Sequence, residues 1–77
     1  MTFTDTLKSH RKRMGLTQRK VAEALNVSQT IVYLWESGRA HPSYQNLVRL
    51  ERLFETERGD LLVSLAYELS AEQEVMT

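Results

Sequence analysis

The chain has 77 residues, ten Lys and Arg against ten Asp and Glu, 42% hydrophobic residues and no cysteine. That length holds one domain, over 1–77, with a core near the small end of what folds unaided. The composition excludes a disulfide scaffold and a cysteine-ligated metal, and no apolar run reaches membrane-spanning length. With no signal-peptide pattern at the start, a cytoplasmic protein is expected. Few Gly and Pro, with abundant Leu, Glu, Ala and Arg, favour an all-α fold.

The zero net charge hides a split. Residues 1–42 carry seven Lys and Arg against three carboxylates, a net +4, and residues 43–77 carry the balancing −4. Attraction to phosphate acts locally, so a basic half suits an anionic partner even in a neutral chain.

Thr4 or Asp5 can cap a first helix that runs to about Met14, with Leu7, Arg11 and Met14 on one stripe and Phe3 one turn before. Lys8 and Lys12 share another face and are expected to point to solvent. Gly15 ends this helix, as a glycine past the last turn does. Thr17 caps a second helix to about Leu25, whose buried face is Val21, Ala22 and Leu25. Asn26 suits a left-handed turn residue and Val27 plugs it. Ser28 caps a third helix to about Glu36, with Ile31, Val32 and Trp35 inward and Gly38 as its stop. Arg11 on an apolar stripe needs a partner, and Glu36, next to the inward Trp35, is the obvious one. After Pro42, Ser43 caps a fourth helix to about Phe54, with Leu47, Leu50 and Phe54 inward and Tyr44 and Val48 beside them.

A break over Glu55–Gly59 precedes a fifth helix over about 59–72. Its many apolar residues exceed what one face of a small domain covers, so Leu61, Leu65 and Leu69 or their neighbours are expected to form a dimer contact. The tail from Ser70 to Thr77 is polar and acidic and reads as a helical extension.

Two short helices joined by a tight turn over Thr17–Gly38 form the pattern that enters the DNA major groove. The ordered set Gln18, Ala22, Asn26, Val27, Ser28, Val32, Trp35, Glu36, Gly38 and Pro42 resembles the lambda-repressor-like helix-turn-helix family, which includes Cro and the xenobiotic-response-element regulators. The resemblance covers about Leu7 to Leu62. It implies a compact five-helix domain and a transcriptional regulator. Such a protein binds double-stranded DNA at a palindromic operator, as a homodimer, with no cofactor. It also implies that Arg11 pairs with Glu36 and faces the DNA backbone.

On a helical wheel of the third helix, Thr30, Tyr33 and Leu34 lie opposite Val32 and Trp35, with Gln29 at the N-terminal edge. The resemblance places base contacts at Gln29, Thr30 and Leu34, with Tyr33 close to a base or a phosphate. A glutamine can pair with both N6 and N7 of adenine. For the phosphates, the free N–H groups at the start of the second helix are favourable donors. The candidates there and nearby are Arg11, Thr17, Gln18, Arg19, Ser37, Arg39, His41 and Ser43.

The chain departs from the family in two places. Thr56 and Arg58 stand where apolar loop residues are usual, and Leu34 stands where a polar residue is usual. Leu34 fits three roles: reading thymine methyls, meeting a protein, or burial on a slightly rotated helix. The apolar third and fifth helices also fit a protein-interaction module, such as an antitoxin or adaptor. No nucleophile with its base, no metal-ligand spacing around His10 or His41 and no phosphate-binding glycine loop speaks for an enzyme.

Overall fold

The computed structural model describes residues 2–76, and side chains through Ala71. Its helices are α1 (Phe3–Arg13), α2 (Gln18–Leu25), α3 (Gln29–Ser37), α4 (Tyr44–Phe54) and α5 (Asp60–Met76). No strand occurs among the described residues. None of the helices is long and apolar enough to cross a membrane.

The starts of α2, α3 and α4 follow one rule. Thr17, Ser28 and Ser43 each sit in extended backbone and accept the amide N–H of the residue three places on. Each side chain thereby satisfies one donor that the helix leaves free. The first helix starts earlier than Thr4 or Asp5. Thr2 is its cap, in a reciprocal box where Thr2 Oγ1 accepts from Asp5 N and the Asp5 carboxylate accepts from Thr2 N. Phe3 is pulled into the core, and that anchors the extra half turn. The hydroxyl and then the amide of Thr2 hold the Asp5 carboxyl below its ordinary value of 3.8.

The first four helices also end alike, at Gly15, Asn26, Gly38 and Glu55, each with positive φ. In each case the next residue's amide reaches back to a carbonyl of the last turn, as in Leu16 N to Arg11 O and Thr56 N to Glu51 O, both 3.0 Å. Three of these positions carry the Gly or Asn that left-handed backbone favours. Glu55, at φ 56°, does not.

The core gathers Phe3 and Leu7 of α1, Val21, Ala22 and Leu25 of α2, Val32 and Trp35 of α3, Leu47, Leu50 and Phe54 of α4, and Leu61 and Leu65 of α5. Burying a side chain of this size contributes about 1.5–3 kcal/mol. Leu61 and Leu65 are 0% and 5% exposed, and Leu69 packs half-buried on the same cluster. In the single chain these three leucines, expected with their neighbours to form a dimer contact, pack into the core. The exposed apolar row of α5 is Leu62, Val63 and Tyr67. Tyr44, expected beside the core, is exposed as well.

Polar contacts fix the start of α5. Glu51 is a buried carboxylate on α4 that accepts Gly59 N at 2.9 Å and Leu61 N at 2.8 Å. It caps α5 from another helix, where the residue before the helix is Gly59, and places negative charge at the positive helix end. His10 is half-buried. Its ring stacks on Phe54 with centroids 5.8 Å apart, and its Nε2 lies 3.5 Å from Asp60 Oδ2. Arg13 adds a 2.6 Å bond to the Phe54 carbonyl and ties α1 to the end of α4.

The helical extension expected of the tail continues to Met76, while Thr77 lies outside the described residues.

Candidate nucleic-acid interface

The third helix has two sides. Val32, Trp35 and Glu36 are buried and Ile31 is half-buried, which locks the helix against α1 and α2. Gln29, Thr30, Tyr33 and Ser37 are exposed on the opposite side. The helix turned by the apolar anchors is therefore presented rigidly, with a mostly polar outer face. Leu34 is half-buried, between the two sides.

Glu36 is the hub that sets this orientation. Its side chain is 3% exposed, and the carboxylate accepts from Arg11 twice, at 2.7 Å from Nε and 3.1 Å from Nη2. Gln18 Nε2 donates to the same carboxylate at 3.2 Å. Arg11 Nη1 also donates to the Leu16 carbonyl at 2.9 Å. The pairing of Arg11 with Glu36 is thus formed, in the forked geometry that a guanidinium favours. One carboxylate ties α1, the first residue of α2 and α3 together.

Of the candidate phosphate contacts, Arg11 lies on the floor of a groove and already donates from all three nitrogens to protein oxygens. Gln18 uses one amide hydrogen on Glu36 and keeps a second beside the start of α2. Thr17 and Ser43 use an oxygen lone pair as helix caps, which leaves their hydroxyl hydrogens available. Ser37 turns its hydroxyl back onto the Leu34 carbonyl at 3.1 Å. Arg19 makes an exposed pair with Glu23 at 3.2 Å, of the weak, screened kind. Arg39 and His41 are exposed on the loop after α3.

Two adjoining concavities run along this face. Gln18, Gln29, Thr30 and Tyr33 line the first. Lys8, Arg11, Lys12, Gln18, Tyr33, Glu36 and Ser37 line the second. Lys8 and Lys12, expected to point to solvent, line this second concavity. Their spacing marks one helix face, but only the packing of α1 against α3 turns that face toward Tyr33.

An α-helix pinned from behind, with a polar outer face and a second helix N-terminus beside it, defines a helix-turn-helix DNA-binding domain. The helix-turn-helix family matches residues 7–61, and the chain belongs to it, in the lambda-repressor-like branch. That is a class of DNA-binding regulator domains rather than of enzymes. The chain is 36% identical over 62 residues to the HTH-type transcriptional activator BcrR of Enterococcus faecalis, a match that covers 80% of this chain and 30% of that protein. It is 33% identical over 55 residues to the HTH-type transcriptional regulator DicA of Escherichia coli, covering 71% of this chain and 41% of that one. The chain thus spans under half the length of these two relatives. Among solved structures, the clp gene regulator ClgR of Corynebacterium glutamicum is similar at a TM-score of 0.72 and 30% identity. That match covers 96% of this chain and 81% of the other.

Proposed function

We propose that this domain is a sequence-specific transcriptional regulator of the cytoplasm that reads an operator through α3. The observation that carries this reading is the hub at Glu36, which fixes the outer face of α3 and the N-terminus of α2 in one orientation. Gln29 and Thr30 then supply base contacts in the major groove, with Tyr33 and Leu34 at their edge. Gln18, Thr17, Ser43, Arg39 and His41 supply contacts to the backbone, which position without reading sequence. The likeness to named transcriptional regulators supports the same reading.

The operator is proposed to be palindromic and the protein a homodimer, with two copies of α3 about one helical turn, roughly 34 Å, apart. The exposed row Leu62, Val63 and Tyr67 on α5 is the surface that supports a dimer.

Selection from a random pool of duplexes at two salt concentrations tests the reading, with the assembly state followed by sedimentation. An enriched inverted repeat whose binding weakens steeply with salt is the expected result. In the same assay Gln29→Ala should relax preference at one position by about 1–3 kcal/mol, while Arg39→Ala should weaken all sequences alike. A folded dimer that enriches nothing would direct attention to a protein partner instead.

A further inference from the structure

The second concavity raises a question that the reading helix does not answer. It is lined by α1 and α3 and shares Gln18 and Tyr33 with the first, so the two form one continuous surface. On its floor Arg11 and Glu36 neutralise each other. What remains at the rim is the charge of Lys8 and Lys12, which have no carboxylate within 4 Å among the described residues, although Lys8 acts at longer range on Asp5 one turn before it. The two lysines stand four residues apart on one helix face, where like charges repel and weaken the helix.

We propose that Lys8 and Lys12 form a second phosphate-holding site on α1, filled by the DNA backbone next to the base pairs that α3 faces. This rests on the DNA-binding reading above and extends it to residues outside the helix-turn-helix. A continuous groove with a polar reading edge on one side and two free ammonium groups on the other fits one duplex, with bases over Gln29 and Thr30 and its strand passing Tyr33 toward α1. Lysine suits this place because a flexible point charge follows a phosphate without demanding one geometry. The half-exposed Tyr33 stands between the two parts, where its hydroxyl can donate to the same strand. The site adds affinity and fixes register, and adds no sequence preference.

The test compares the parent chain with the double variant Lys8→Ala, Lys12→Ala on the selected operator and on an unrelated duplex, across a series of salt concentrations. Each lost phosphate contact should lower the slope of log affinity against log salt by about 0.9. The expected change is therefore about 1.8 per bound chain, with both duplexes weakened by the same factor. The double variant Arg49→Ala, Arg58→Ala removes the same charge outside the groove and should leave the slope unchanged. Both lysines are exposed on a helix, so folding should survive, as circular dichroism checks. Parent-like slopes in the lysine variant, or an equal loss in the arginine variant, would overturn the site while leaving the DNA-binding reading intact. A parent chain with no salt-dependent affinity for any duplex would overturn both.

Discussion

Arg11 and Glu36, twenty-five residues apart, meet in a forked pair in which the glutamate side chain is almost completely enclosed, while the arginine side chain keeps 15% of its surface exposed. The pair crosses from α1 to α3, so it sets the attitude of α3 as well as joining two elements. Neither charge is left uncompensated, because Leu16 and Gln18 supply the remaining bonds.

Breaking that pair from one side should be costly. Arg11→Ala leaves a carboxylate enclosed with only Gln18 donating to it from a side chain. Removing one member of a buried pair costs about 3–5 kcal/mol, and the partial exposure of Arg11 points to the lower end. At roughly 4–8 °C per kcal/mol for so small a domain, Tm should fall by roughly 12 °C or more. Arg11→Met combined with Glu36→Leu should recover much of the loss, since no lone charge then remains. A single variant with nearly parental Tm would show that the pair does not hold α1 to α3.

The capping of α5 by Glu51 predicts a local effect. Glu51→Ala removes the acceptor for two amides, Gly59 and Leu61. Leaving a buried donor unsatisfied costs about 1–3 kcal/mol. Glu51→Gln retains one acceptor oxygen and should cost less. Hydrogen exchange at those two amides should accelerate in the alanine variant before that of Val21 or Val32 does. Uniform acceleration across the chain would argue against a local cap.

Helix closure predicts changes of opposite sign at two similar sites. Glu55 has φ 56°, and Gly38 has φ 79°. A side chain in left-handed backbone costs about 1–2 kcal/mol, partly offset by the greater freedom that glycine loses on folding. Glu55→Gly should therefore raise stability by about 0.5–1 kcal/mol. Gly38→Ala should lower it by a similar amount through the backbone alone, because its new Cβ would meet Thr4 Cγ2 at an ordinary 3.7 Å. Urea midpoints, with unchanged slopes, measure both shifts.

The two apolar stripes of α5 should separate in mutation. Leu61→Ala opens a cavity in the core and should cost about 2–5 kcal/mol. Val63→Glu with Tyr67→Glu alters side chains that are 68% and 78% exposed, so folding of the single chain should change by less than about 0.5 kcal/mol. Sedimentation of this second variant should show monomer where the parent shows dimer. An unchanged dimer would place the contact elsewhere on the surface.

Much of this architecture is legible in the sequence because its signals are local. Thr17, Ser28 and Ser43 cap helices by bonds that span three residues, and Asn26 and Gly38 close them by their own backbone preference. The inward faces of α2, α3 and α4 follow from helical period, and Arg11 needed a partner because an apolar stripe does not tolerate a lone charge. What the order of residues could not decide is how the helices face one another. Leu61, Leu65, Leu62, Val63 and Tyr67 are all apolar, and periodicity alone does not say which stripe meets α4 and which meets solvent. Glu51 reads as an ordinary helix-surface carboxylate until α4 and α5 pack and bury it over two amides. Lys8 and Lys12 read as a solvated face until α1 crosses α3 and that face becomes one wall of the groove beside Tyr33. The sequence by itself determined the five helices, the ends of α2, α3 and α4 and the helix-turn-helix, since each depends on bonds within a turn or two, whereas the starts of α1 and α5 rest on the burial of Phe3 and on Glu51. The tertiary structure alone decided which charges are enclosed and which apolar stripe is left free, since both depend on surfaces that meet only after the helices have packed.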